Sequence, residues 1–199
     1  MSEPLFYKPS LVDANTATEL LYLLMEQDCW VEGIKARGGK HTRLATNLVP
    51  GQCPTIDQLI AQVLREMAPD VEYDIHGLYI NYMRNGDEYI PNHRHLGTHQ
   101  LVISLGSTRT LEVDKKAYKL SNGDCILFGS QLHGVRREKV DPADMFGGKR
   151  MSIATFMVPK KIVEPKAVPK PKAVPKPTVA AKALSKEELR KARLAHFTQ

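Results

Sequence analysis

From residue 77 to residue 159 the chain runs through short β-branched segments with no helical stretch between them, and that succession does most to limit its fold. GLYINYMR, HQLVISLG, RTLEVDK, DCILFGS, HGVRREK and MSIATFMVP are short and often alternating, and NG, GS, SNGD and GG turns separate them. Valine, isoleucine, threonine and aromatic side chains suit a pleated, half-buried surface, and Gly- and Asn-rich pairs suit the turns that join neighbouring strands. Six or more such strands in succession predict an antiparallel sandwich or a jelly-roll barrel.

Two helices precede them. LVDANTATELLYLLMEQ offers Asp13 or Asn15 as a cap and Leu20, Leu21, Leu23 and Leu24 as an apolar face. In PTIDQLIAQVLREMAPD, Thr55 and Gln58 have capping-box spacing, Ile56, Leu59, Ile60, Val63, Leu64 and Met67 recur at helical intervals, and Pro69 ends the run. The expected class is α+β, mainly β, with the helices buttressing one sheet.

At 199 residues the chain has room for one domain with a core of its own, and 42% hydrophobic with 25% charged residues is a globular composition. Cys29, Cys53 and Cys125 are odd in number and lack CxxC spacing, so no disulfide framework is expected and a reducing, cytoplasmic setting fits. The opening MSEPLFYKPS lacks the basic and apolar blocks of a signal peptide, and no stretch approaches the roughly 18 apolar residues of a membrane span. A soluble monomer with no membrane attachment is the expectation.

The net charge of +6 is unevenly placed. Residues 160–199 carry eleven Lys and Arg against three acidic residues, a surplus of +8, while residues 1–159 carry seventeen against nineteen, or −2. KAVPKP occurs at 166–171 and again at 172–177. Proline denies the backbone helix and ladder bonds and the lysines repel one another, so 160–183 reads as a disordered Lys/Pro-rich linker after a folded domain over 1–159. Ser185 and Glu188 then have capping-box spacing, and Leu184, Leu189, Ala192, Leu194 and Phe197 give a loose apolar face, which predicts a short helix over 184–199. Such a tail is either a solvated linker or a cationic arm for nucleic acid.

The stretch NHRHLGTHQ, residues 92–100, places three histidines in seven positions. His93 and His95 stand at i and i+2, on one side of a strand, and His133 begins the strand that follows DCILFGS, where an antiparallel barrel can return it beside the pair. Three protein ligands leave coordination positions open, as a catalytic metal site requires. Otherwise the three are half-exposed loop residues. Arg150 in GGKRMSIATF is a lone cation at the head of an apolar strand. A buried charge needs a partner, and a guanidinium fork fits a carboxylate that arrives with a ligand. The alternative is a surface arginine at a strand end.

With these residues in view, the sequence resembles the AlkB family of iron(II)- and 2-oxoglutarate-dependent dioxygenases over nearly all of 4–159. LFYKPSLVDANTATELLYLLMEQDCWVEG resembles that family's opening strand and helix, and GGKHTRLATNLVPG its substrate-facing segment. INYMRNGDEYIPNHRH is similar to its N-x-Y strand and H-x-D iron motif, LVISLGSTRTLEV to its S-x-G-x-x-R-x-F hairpin, NGDCILFGSQLHGV to its G-D-x-x-x-x-G…H-G segment, and RMSIATF to its R-x-N-x-T-x-R strand. The resemblance implies a double-stranded β-helix (jelly-roll) core, Fe(II) held by His93, His95 and His133, and 2-oxoglutarate held by Asn81, Arg150 and Ser152, with Arg150 on the C5 carboxylate. Arg43 and Thr46 would face the substrate.

Three departures accompany it. His95 replaces the family's aspartate ligand, Met83 the tyrosine of N-x-Y, and Phe156 the second arginine of the last strand, while Ser152 stands where asparagine does. Neither Met83 nor Phe156 can donate a hydrogen bond to the cosubstrate, and Arg84 compensates only if the strand shifts or bulges. A third imidazole leaves the centre at +2 rather than +1 and suits zinc or copper as well as iron. His99 is a reserve ligand if its loop folds back.

The implied reaction couples molecular oxygen and 2-oxoglutarate to oxidation, most simply demethylation, of a modified base in DNA or RNA, with nucleic acid bound partly through the basic tail and through Lys40 and Arg43. Tyr7, Trp30, Tyr79, Tyr82 and Tyr89 read better as packing residues than as base-stacking platforms. Alternative readings are a protein or small-molecule hydroxylase of the same superfamily, a catalytically impaired metal-binding interaction module, and a zinc hydrolase with Asp87 or Glu88 as its base.

Overall fold

A computed structural model describes residues 5–32 and 43–162. The elements in chain order are β1 (Leu5–Lys8), α1 (Ala14–Met25), β2 (Val31–Glu32), β3 (Leu44–Leu48), α2 (Pro54–Met67), β4 (Val71–Met83), β5 (Ile90–His93), β6 (His99–Gly106), β7 (Arg109–Val113), β8 (Lys116–Leu120), β9 (Cys125–Phe128), β10 (His133–Val135) and β11 (Arg150–Ile162). They form a seven-stranded sheet in the order β1-β9-β6-β11-β4-β3-β2 and a four-stranded sheet in the order β5-β10-β7-β8, antiparallel throughout. The expected jelly roll is therefore present. The linker expected over 160–183 does not start at 160, because residues 160–162 continue β11 in pairing with β4; the rest of it, the expected terminal helix and Lys40 lie outside the described residues.

Both helices cover one face of the larger sheet. Asp13 caps α1 by accepting from the backbone N–H groups of Asn15 and Thr16, at 3.1 and 3.0 Å. Its buried face is Ala17, Leu20, Leu21 and Leu24. The capping box expected of Thr55 and Gln58 does not form, because α2 begins at Pro54, two residues earlier than a Thr55 cap requires. Pro54 supplies a preset φ at the first turn, and Cys53 sits at the cap position without a side-chain capping bond. Ile56, Ile60, Val63, Leu64 and Met67 of α2 join the α1 face, Leu78 and Ile80 of β4, Leu101 and Ile103 of β6, and Met151 and Ile153 of β11 in one core. Each such side chain contributes about 1.5–3 kcal/mol relative to exposure.

The period-2 alternation of the same strands sends their other residues between the sheets. Met83, Val102, Ile126, Phe128 and Ala154 meet Leu111, Val113, Leu120 and Val135 of the smaller sheet. β11 continues through Pro159 to Ile162, with a register shift between Pro159 and Lys161. A bulge of this kind is where a strand accommodates proline. Among the described residues no helix is long and apolar enough to cross a membrane, and none of the three cysteines is in a disulfide.

Candidate metal centre and acid pocket

β5 and β10 place the first two histidines. His93 and His133 are Cα partners across the two strands, and the register shifts before Val135 meets Ile90. Gly134 sits at this junction, where a Cβ would come within 2.3 Å of Asn92 Oδ1 and 2.8 Å of the Ile90 carbonyl oxygen. β10 is held from its other side by Asp114, whose N–H donates to the Leu132 carbonyl at 2.8 Å and whose carboxylate accepts from Leu132 N–H at 3.0 Å. His95 lies two residues past the end of β5, so the i, i+2 relation survives the end of the strand.

The ring centroids are 4.3 Å apart for His93 and His133, 4.8 Å for His93 and His95, and 5.6 Å for His95 and His133. Their ligand nitrogens lie within 4.8 Å of one another. Nδ1–H of His93 donates to the Pro91 carbonyl at 2.8 Å, and Nδ1–H of His133 to the Gln131 carbonyl at 2.9 Å. A carbonyl only accepts, so each Nδ1 carries a proton, which leaves Nε2 as the nitrogen through which each ring would bind a metal. Burial, with the neighbouring His93 and His95 charges, pushes His133 down to about 4, and burial followed by His93 lowers His95. Imidazoles converging in this way would offer a nitrogen donor set to a divalent transition metal.

A cavity of about 250 Å³ opens between the sheets in front of the histidines. At its inner end Arg150, 1% exposed, donates from Nε to Ser104 Oγ at 3.2 Å, while Nη1 is buried without a partner. Burial, with the nearby Arg109 cation, pushes its pKa down to about 9, so the group remains charged at neutral pH. Asn81 donates to Ser152 Oγ at 3.4 Å and accepts from Arg43 Nε at 2.5 Å. All four line the cavity with Tyr79, Gln100 and an apolar wall, and no Asp or Glu is among the lining residues.

Of the residues singled out in the sequence, His93, His95, His133, Asn81, Arg150, Ser152 and Arg43 line this one cavity. Thr46 does not. It pairs with Ile80, whose side chain packs under the helices, one position off the Asn81 row that faces the cavity. His99 is likewise on the helix side of β6, against the Tyr73 ring, and is no reserve ligand. Arg84 is engaged by Glu88, which accepts from its Nε at 2.7 Å and its backbone N–H at 2.7 Å. That same pairing removes Glu88 as a general base and, with the acid-free cavity lining, the hydrolase reading.

Sequence reasoning missed Gln100, Tyr79 and the work of Arg109. Arg109 is buried and donates to the carbonyls of Asn85 at 3.0 Å, Glu88 at 2.8 Å and Arg136 at 2.5 Å, pinning the loop that feeds β5 to the segment after β10. A polar residue at the head of an apolar run was the available signal for Gln100. The packing expected of the aromatic residues is seen for Tyr7 on Tyr118 and Trp30 on Tyr82.

The antiparallel jelly roll is a fold shared with solved structures that include 2OG-Fe(II) oxygenases. A 2OG-Fe(II) oxygenase family oxidoreductase from Burkholderia pseudomallei is 16% identical with TM-score 0.56, over 77% of this chain and 85% of that one. The epimerase SnoN, in complex with Fe3+, alpha ketoglutarate and nogalamycin RO, is 11% identical with TM-score 0.58, over 78% and 79%. HygX from Streptomyces hygroscopicus, with iron bound, is 12% identical with TM-score 0.54, over 81% and 84%. No protein-family model and no curated protein sequence matches the chain.

Proposed function

We propose that this chain is an iron(II)- and 2-oxoglutarate-dependent dioxygenase. The observation that carries the reading is Arg150, a fully buried guanidinium with an unpartnered Nη1, in a cavity that has three imidazoles and, among its described lining residues, no carboxylate. Leaving such a cation unpaired is costly unless a ligand brings the counter-charge. His93, His95 and His133 would hold the metal, and their donor set accepts Zn2+ as well as Fe2+. Arg150, Ser152 and Asn81 would hold the acid. Bound there, the metal and 2-oxoglutarate supply oxidising power from molecular oxygen, with succinate and carbon dioxide as the other products. SnoN with iron and alpha ketoglutarate, and HygX with iron, support that pairing of fold and cofactor.

The substrate proposed is a modified base in DNA or RNA, on the strength of the AlkB-like motif order, the half-buried Arg43 at the cavity wall and the +8 surplus beyond residue 159. Base chemistry needs a flipped or single-stranded base to enter such a cavity. A small-molecule hydroxylase is the second reading, favoured by the apolar wall of Ile90, Leu111, Val135 and Phe156. Succinate release from iron-loaded protein under air tests both. Stimulation by a methylated oligonucleotide supports the first substrate, and turnover uncoupled from any oligonucleotide supports the second. Absence of both 2-oxoglutarate binding and succinate would overturn the enzyme reading in favour of a metal-binding interaction module.

A further inference from the structure

Gln100 is 2% exposed, and its Nε2 is buried without a hydrogen-bond partner among the described residues, although the side chain lines the cavity. Its place in the sheet says what it faces. On adjacent strands β9, β6 and β11, Phe128, Gln100 and Phe156 are mutual Cα partners, so the three side chains form one row on the cavity side. The Phe128 ring is 4.8 Å from that of His133, and the Phe156 ring is 4.8 Å from that of His95. The amide therefore stands between two phenyl rings that each back a candidate metal ligand, at the opposite end of the cavity from the Arg150–Ser104 contact. Neither ring can serve it, and a buried amide N–H left unmade is a cost that native chains rarely carry without a ligand to meet it.

We propose that Gln100 is a binding residue for the metal end of the oxo acid, donating from Nε2 to the carboxylate beside its keto group, while Arg150 takes the distal carboxylate. This rests on the oxo-acid reading above. It makes the cavity a two-ended clamp for a dicarboxylate, with the histidines at the Gln100 end.

The experiment is calorimetric binding to the full chain loaded with Zn2+, using 2-oxoglutarate and 2-oxobutyrate, which keeps the keto-acid end and lacks the distal carboxylate. Gln100→Met keeps length and bulk and removes the donor. It is expected to weaken both acids about 10- to 100-fold, the loss of a hydrogen bond to a charged group, with zinc stoichiometry unchanged. Arg150→Ala is expected to weaken only 2-oxoglutarate. If Gln100→Met binds both acids as the wild type does, or loses 2-oxoglutarate alone, the assignment of Gln100 is overturned and the oxo-acid reading stands. If the zinc-loaded wild type binds neither acid, the oxo-acid reading itself falls. Should Gln100→Met fail to fold, Gln100→Asn, which withdraws the amide by one methylene, is expected to show the same pattern, and equal affinity in that variant overturns the proposal.

Discussion

The Phe156 ring meets the His95 ring edge-on, with centroids 4.8 Å apart and planes at 67°. Both stand where the sequence departs from the AlkB motifs it resembles, and they touch. An anionic ligand at 95 would have a phenyl group, and no cation, against it. His95→Asp is predicted to retain the metal, to weaken binding of the dianionic oxo acid several-fold because the centre loses one unit of positive charge, and to raise turnover at saturating oxo acid. Oxo-acid titration with succinate quantification checks this. Loss of the metal, or no rise at saturation, shows that the imidazole is required.

His133 sits directly across from His93 and is only 5% exposed, and among the described residues no fourth His, Cys, Asp or Glu joins the cluster. His133→Ala is expected to reduce bound metal from one equivalent per chain to a small fraction and to abolish succinate release. Metal analysis of the purified variant is the measurement.

Arg150 contributes little that the fold needs, since one hydrogen bond to Ser104 is its only described one. Replacing a buried charge by an apolar group of similar length is often neutral or stabilising. Arg150→Met is thus predicted to leave thermal stability unchanged or higher, by about 1 kcal/mol or more, while oxo-acid affinity falls by at least tenfold and metal content stays the same. A large drop in melting temperature contradicts this.

Gly134 has room for no side chain, because the Ile90 carbonyl oxygen and Asn92 Oδ1 already occupy the space of a Cβ. Gly134→Ala is predicted to separate β5 from β10 at the ligand pair. Metal affinity should drop by an order of magnitude or more although no ligand is changed, and a normal affinity would show that the strands slide past one another freely.

The metal-free protein should lose stability in mild acid. His133 is held at about 4 against an ordinary 6.5, first by burial and then by the charges of His93 and His95. On acidification the unfolded chain takes up that proton first, so the contribution of neutral His133 is complete above about pH 6.5 and gone by about pH 4. Melting temperature of metal-free protein should fall across this window, and a flat profile there removes His133 as its cause.

How far the site could be read from the sequence follows from what a linear pattern encodes. His93, His133 and Arg150 were legible because each is a polar residue at the head or end of an apolar run, and strand ends are local properties. The α2 cap was misread because Pro54 fixes its own φ and starts the helix without any side-chain cap. Thr46 was assigned to the wrong face because LATNL alternates too weakly to fix its parity, which only pairing with β4 determines. Gln100 stayed hidden for a similar reason: the Phe128–Gln100–Phe156 row exists only through the registers of three strands distant in sequence.

The candidate metal ligands belong to β5, its outgoing loop and β10, on the four-stranded sheet, whereas Arg150, Ser152, Asn81 and Gln100 belong to the seven-stranded one. Anything that engages both sets becomes a rivet through the sandwich. Loading is then a mechanical event as well as a chemical one: metal alone stiffens a single layer, and only the acid fastens the second layer to it, so resistance to proteolysis should rise in two unequal stages.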